Sequence, residues 1–304
     1  MLPVVLASLL GAIVLAGCGS PVLLATCSKR LVASQSPPIA DSALTEISGI
    51  AASRVTPGVL WVHNDSGDTA RIFALDQQGV TRATLTLSGA TANDWEDIAI
   101  GPGPVAATSY IYAGDIGDNN SVRSEIVVYR VAEPVVDTAA NISGSISGVD
   151  AIRLRYPDGA HNAESLVVDP ITKDLVIITK SMSGGAQKAY RVSGSTAPGV
   201  LTTMEYLATV TTSSNFFGAI TGADISPSGL QLAVRTYGGV VISARQSVST
   251  PLATFIGGGT GIVTCPAPGP AENQGEAIGF NAAGRGFTTV SEGVGAVLHR
   301  FDAP

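Results

Sequence analysis

Charge is scarce in this chain. Only 13% of its 304 residues are Asp, Glu, Lys or Arg, and the formal net charge is −7. That balance argues against nucleic acid, because phosphate binding needs a basic face. It suits a cation, a basic partner or plain solubility. Cysteine and histidine number three each, and two cysteines without a neighbouring histidine make a poor metal site. No G-x-S-x-G elbow, G-x-x-x-x-G-K-[ST] loop, H-E-x-x-H or D-x-D-x-D-G stretch occurs, so the local signatures of several large enzyme and EF-hand classes are missing. Beyond the first residues no apolar period near 3.6 is sustained, which excludes long helices. What the chain does have is 35 Gly, 17 Pro and 45% hydrophobic residues. That mixture describes many short strands joined by tight turns around an ample core.

Residues 2–17 form an apolar run that ends at Cys18. The run has signal-peptide length and is short for a membrane span of ~20 residues. Leu15-Ala16-Gly17-Cys18 resembles the lipobox of bacterial lipoproteins, although no Lys or Arg precedes the run. The expected layout is a signal peptide at 1–17 and a lipidated N-terminus, linker and closing strand at 18–44. One β-propeller domain would then occupy 45–304. An ordinary secreted protein is the alternative, and both readings are exported. Membrane attachment would come through the lipid (palmitate-type) on Cys18, on the outer side of the cell membrane. In an oxidising compartment Cys27 and Cys265 are the pair left for a disulfide, with two free buried thiols as the alternative. That bridge would close a loop of ~240 residues, worth about 4–5 kcal/mol in the chain-entropy model.

An internal repeat organises the remainder. Glu46 precedes Ile47-Ser48-Gly49-Ile50-Ala51, and Glu96-Asp97 precede Ile98-Ala99; Asp65 and Asp115 each follow nineteen positions later, in D-x-G-D turns. Glu164, Asp224 and Glu276 open three further segments of this kind. Second strands are expected at 59–64, 110–114, 174–179, 230–236 and 286–291. Third strands are expected at 71–75, 125–131, 188–192, 240–245 and 296–301. Fourth strands are expected at 81–87, 149–156, 201–210 and 251–256. Four strands per unit at a spacing of about 50–70 residues describes an all-β fold, a β-propeller, better than a solenoid. Five blades are counted; a sixth would require a divergent unit around 135–160 or 181–215. The last unit lacks a fourth strand, which Lys29 to Ser34 can supply, closing the ring.

In such a ring the first strands start, and the second strands end, on one face. Glu46, Glu96, Asp97, Glu164, Asp224 and Glu276 are therefore expected around the channel mouth. His63, Asn64, Asp65, Asp115, His161, Asn162, Thr179, Lys180, Arg235, Ser291 and Glu292 are expected beside them. A circle of carboxylates raises some of its own pKa values or binds a cation, and oxygen-rich irregular sites favour Ca²⁺. Glu96, Glu164 and Glu276 are the candidate metal ligands. The competing reading is structural: acids at strand starts cap backbone N–H groups, and D-x-G-D suits a turn in which Asp bonds its own backbone and Gly takes φ > 0. Arg71 and Arg123, following the two turns, would then pair with the local Asp. Trp61 and Trp95 are expected between blades. Ser183-Gly184-Gly185 and Gly257 to Gly261 read as loops.

Ser48-Gly49-Ile50-Ala51, Trp95-Glu96-Asp97-Ile98-Ala99, Glu164-Ser165-Leu166-Val167-Val168-Asp169, Asp224-Ile225-Ser226-Pro227 and Gly275-Glu276-Ala277-Ile278 together resemble secreted bacterial β-propellers of the phytase-like or esterase-like kind. The likeness extends more loosely to NHL and TolB-type propellers and to actinobacterial lipoproteins, over roughly 45–301. The phytase-like resemblance implies six blades and Ca²⁺ with basic residues holding phosphate, a role Lys180 and Arg235 could serve. Two functions follow. One is an envelope lipoprotein whose acidic face binds Ca²⁺, a small ligand or an envelope protein. The other is a Ca²⁺-dependent phosphoester or ester hydrolase with His63 or His161 as general base.

Overall fold

The computed structural model describes residues 31–182, 187–210, 218–270, 272 and 274–304. Cys18, Cys27, Lys29, Arg30, the apolar run at 2–17 and Ser183-Gly184-Gly185 lie outside the described residues. The chain forms five sheets arranged as a ring, a five-bladed β-propeller. The six-bladed architecture implied by the phytase-like resemblance is thereby corrected.

Blade 1 contains β2 (Ile47–Ala52), β3 (Leu60–Asn64), β4 (Arg71–Leu75) and β5 (Thr81–Leu87). Blade 2 contains β6 (Trp95–Pro102), β7 (Ser109–Asp115), β8 (Ile126–Ala132) and β10 (Asp150–Arg155). Blade 3 contains β11 (Ala163–Val168), β12 (Leu175–Thr179), β13 (Gln187–Val192) and β15 (Glu205–Val210). Blade 4 contains β16 (Ile220–Ile225), β17 (Gln231–Thr236), β18 (Gly239–Ala244) and β19 (Val263–Ala267). Blade 5 contains β20 (Gly275–Phe280), β21 (Gly286–Ser291) and β22 (His299–Asp302), completed by the N-terminal β1 (Val32–Gln35) antiparallel to β22. The ring therefore closes as the missing fourth strand required. The region 135–160 holds no sixth blade. Its β9 (Ile142–Ile146) instead lies parallel against β5, and β14 (Thr202–Thr203) adds to β10 in the same way.

One expected strand is wrong. Within residues 251–256 lies a short helix, α1 (Leu252–Ile256), and the fourth strand of blade 4 is β19. Leu252, Phe255 and Ile256 are its buried residues, at helical spacing, so the apolar run packs as one helix face after Pro251. Cys265, in β19, is disulfide-bonded; Cys27, its expected partner, is not among the described residues.

Packing explains the ring. The five apolar clusters occupy the five blade interfaces, for example Trp61, Ile72, Ile98 and Tyr129 between blades 1 and 2. Trp61 and Trp95 both belong to that cluster, as the sequence suggests. Each large side chain buried this way contributes about 1.5–3 kcal/mol. The five first strands are buried along their full inner length and contact one another around the ring. Backbones approach so closely there that a Cβ on Gly222 would lie 2.5 Å from the Glu276 carbonyl oxygen. Glycine is required at that point for room.

Candidate functional site at the channel mouth

Every inner hairpin carries a β-bulge at the same place. The register slips between Ile47 and Gly49, Trp95 and Asp97, Ala163 and Ser165, Ile220 and Gly222, and Gly275 and Ala277. The skipped residues are Ser48, Glu96, Glu164, Thr221 and Glu276. A bulge re-aims its side chain, so these five are equivalent positions in the five blades. Three carry carboxylates. The other two donate hydroxyls to the next blade: Ser48 Oγ to the Glu96 carbonyl at 2.6 Å, and Thr221 Oγ1 to the Gly275 carbonyl at 2.8 Å.

A second tier follows from the same registers. The residues just after the second strands are Asp65, Ile116, Lys180, Tyr237 and Glu292. Asp65, Ile116, Lys180 and Glu292 each donate a backbone N–H to the residue before the first strand: Glu46, Asp94, Asn162 and Gln274, respectively. Among the described residues the mouth thus gathers Glu46, Asp65, Asp94, Glu96, Glu164, Glu276 and Glu292, with the ammonium of Lys180 paired to Glu164.

Those groups form two connected subsites. In the first, carboxylate oxygens of Asp65, Asp94 and Glu96 all lie within 4.8 Å of one another. Gly117 makes that approach feasible, because a Cβ there would collide with Glu96 Oε1 and Asp94 Oδ2. In the second, Glu164 Oε1 is 2.7 Å from Lys180 Nζ, which donates to the Tyr237 hydroxyl at 3.0 Å. That hydroxyl donates in turn to Glu276 Oε1 at 3.0 Å. Oε2 of Glu276 is buried with no hydrogen-bond partner among the described residues.

The electrostatics follow from burial and crowding. Desolvation, then Glu164, Asp65 and Asp94, hold Glu96 well above the ordinary carboxylate range. Burial raises Glu164 to about 7, and Lys180 only partly offsets it. Asp65 is pushed up to about 6 and Glu292 to about 7, by burial and then by neighbouring acids. Burial also raises Asp94 and Glu276. For Lys180 burial alone would depress the ammonium, but Glu164 outweighs it and the group stays charged. Tyr237 is pushed up to about 12 by burial and the nearby acids.

Other residues singled out in the sequence lie elsewhere or hold the fold. Asp97 is wholly buried, accepting the Ile98 N–H at 2.8 Å and the Leu166 N–H of blade 3 at 2.9 Å. Asp224 accepts the Phe280 N–H of blade 5 at 2.7 Å. Both are ties between blades. Asp115 accepts N–H groups from Asn93 and Asp94 and pairs with Arg123 at 2.8 Å. In the first copy Asn64 accepts the equivalent N–H groups, from Thr45 and Glu46, while Arg71 pairs with Asp68 at 2.9 Å. Gly67 takes φ +89°, as a turn glycine should, whereas Gly117 is not in the left-handed region and serves for room. Arg235 is buried and ion-paired with Glu272. Burial pulls its pKa down, though Glu272 opposes the shift.

Among the described residues, neither His63 nor His161 bonds to a carboxylate of the mouth. His63 is fully buried against Trp95, with Nδ1 2.8 Å from the Asn64 carbonyl, and burial lowers its pKa, keeping it neutral. His161 stacks on Tyr190 and bonds Asp158 at 3.0 Å. A histidine base for hydrolysis therefore has no support in the geometry. Sequence reading missed Asp94 and Tyr237. Asp94 could have been found as the counterpart of Glu46, both lying immediately before a first strand.

No family model matches the chain, and no curated protein sequence does. Among solved structures, it is similar to hydrazine synthase of Kuenenia stuttgartiensis. That match has a TM-score of 0.40 and 12% identity, covering 83% of this chain and 94% of that one. So distant a likeness carries no functional argument. The five-bladed architecture rests on this chain's own sheets.

Proposed function

We propose that the protein is an exported binding module whose channel mouth holds one divalent cation and presents it to an anionic ligand or partner. The observation that carries this reading is the trio Asp65, Asp94 and Glu96, with oxygens within 4.8 Å of one another. Ca²⁺ takes oxygens at about 2.3–2.6 Å, so opposite ligands stand roughly 5 Å apart, and it tolerates irregular shells. Glu276 Oε2, buried and without a hydrogen-bond partner among the described residues, supports the reading with a further acceptor at the same mouth. The donor set is all oxygen, which suits Ca²⁺ better than a transition metal.

Titration of EDTA-stripped protein with Ca²⁺, by calorimetry, is expected to give one site with a Kd in the range of about 10⁻⁶–10⁻³ M. Glu96→Gln and Asp65→Asn should each weaken it at least about tenfold. Absence of heat and of any melting shift at about 10 mM Ca²⁺ defeats the proposal. Export and a lipid on Cys18 belong to the same reading, supported by the apolar run at 2–17 and Leu15-Ala16-Gly17-Cys18. Cys18→Ala should move the protein from the membrane fraction to the soluble one. An unchanged distribution would remove the anchor from the reading.

A further inference from the structure

At the other end of the first strands lies a cavity of about 290 Å³ with a different chemistry. It is set between blades 2, 3 and 4, and Ile100, Val168, Ile225 and Pro227 form its apolar walls. The first three of these are at most 6% exposed. Arg54, Thr108 and Ser109 are the polar residues of its lining. Nη1 of Arg54 and Oγ of Ser109 are both buried, with no hydrogen-bond partner among the described residues. Unpaired buried polar groups are costly and uncommon, and two on residues that line one cavity suggest a ligand that draws out and satisfies both.

Glu133 explains why the guanidinium is free. Its carboxylate accepts the Arg54 backbone N–H at 3.1 and 3.3 Å and the Trp61 indole N–H at 3.1 Å. Its own N–H donates to the Ser109 carbonyl at 2.9 Å. One buried acid thus fixes the backbones of both cavity residues without consuming the Arg54 side chain. Burial raises the Asp224 carboxyl to about 6, and the Arg54 guanidinium partly offsets that rise.

We infer that this second mouth binds a small monocarboxylate with an aliphatic body, its carboxylate on Arg54 and Ser109 and its chain against Ile100, Val168, Ile225 and Pro227. The charge is taken as one because Arg54 is, among the described residues, the one cationic residue of the lining. The body is aliphatic because Ile100, Val168, Pro170, Ile225 and Pro227 dominate the lining, with Thr108 beside Ser109 as the one further hydroxyl among the described residues. The volume suits a chain of about four to eight carbons. From Glu96 to Pro102 along β6 is roughly 20 Å at the rise of a strand, so the site is separate from the acidic mouth and does not depend on a cation there.

Acetate, butyrate, hexanoate and octanoate, titrated into the full protein and read by calorimetry, test the assignment. Hexanamide and inorganic phosphate serve as comparison probes. Saturable one-to-one binding that tightens with chain length is expected, unchanged by EDTA, with hexanamide and phosphate at least about tenfold weaker. Arg54→Met should lose at least about tenfold in hexanoate affinity while keeping its melting transition, and Ser109→Ala should lose several-fold. If Arg54→Met fails to fold, Ser109→Ala and the hexanamide comparison decide the matter. Absence of saturable binding at about 10 mM octanoate overturns the inference, as does equal affinity for hexanoate and hexanamide.

Discussion

Asp97→Asn is expected to destabilise the protein by about 2–4 kcal/mol, while Glu96→Gln, one residue earlier, stabilises the cation-free protein by about 1 kcal/mol. The opposite signs follow from the bulge in β6. Glu96 is the bulged residue and faces the mouth, among acids that raise its pKa after burial has done so. Removing its charge relieves that repulsion. Asp97 returns to the ladder and points into the ring, where its oxygens accept the N–H groups of Ile98 and Leu166. Burial raises the Asp97 carboxyl well above the ordinary range, and these N–H groups, with that of Ala223 in blade 4, oppose the rise, so one carboxylate ties blade 2 to blade 3. Asparagine keeps the shape but turns an amide NH₂ toward a backbone N–H. That strands a buried donor, which costs about 1–3 kcal/mol, and sets two donors against each other. Urea unfolding of the two variants and the parent measures both shifts. Midpoints that move in the same direction would refute the division between a functional Glu96 and a structural Asp97.

Much of the architecture is legible in the sequence because its signals are local. Short apolar strands, turn glycines and a five-fold recurrence specify four-stranded units, and a last unit lacking one strand calls for β1. The site was harder to read for a specific reason. Glu46 to Asp65 and Glu96 to Asp115 share a nineteen-residue spacing, which invites their alignment. The registers instead pair Ile47 with Asn64 and Trp95 with Asp115. Glu46 is therefore the counterpart of Asp94, and Ser48 the counterpart of Glu96. The nineteen-residue alignment is thus off by two residues in the first strands and by one in the second, and a bulge, which absorbs such a mismatch, leaves no mark in hydrophobic patterning. The carboxylates at the bulges are consequently three, not six. Asp97 and Asp224 follow the structural alternative that acids at strand starts bond backbone N–H groups. α1 was missed for a related reason, since an apolar run of six residues does not distinguish strand from helix.

Stripped of cations, the protein is expected to be more stable at pH 5 than at pH 8, and Ca²⁺ should remove or reverse that slope. A carboxylate whose folded pKa lies above its unfolded value binds more protons when folded. Stability then falls as pH rises from the unfolded pKa through the folded one. Asp65, Asp224, Glu164 and Glu292 have folded values of about 6, about 6, about 7 and about 7, and Asp94, Glu96, Asp97, Asp174 and Glu276 are raised as well. The window is therefore about pH 4 to 7. His63 works the other way: its lowered pKa adds stability as pH rises past its unfolded value near 6.5, but it is one group against several. Asp68, Asp76 and Asp158 are depressed and act only below about pH 4. Solvent screens the half-buried Glu292, and each proton taken up relieves its neighbours, so the net loss across the window is about 2–4 kcal/mol. A cation bound at a hundred times its Kd restores about 2.7 kcal/mol at pH 8, and less at pH 5, where protons compete for the same oxygens. Melting curves in EDTA and in Ca²⁺ at both pH values separate the causes. A flat EDTA profile would mean that the acids are not crowded in solution. A falling EDTA profile that Ca²⁺ leaves untouched would mean that they are crowded but hold no ion.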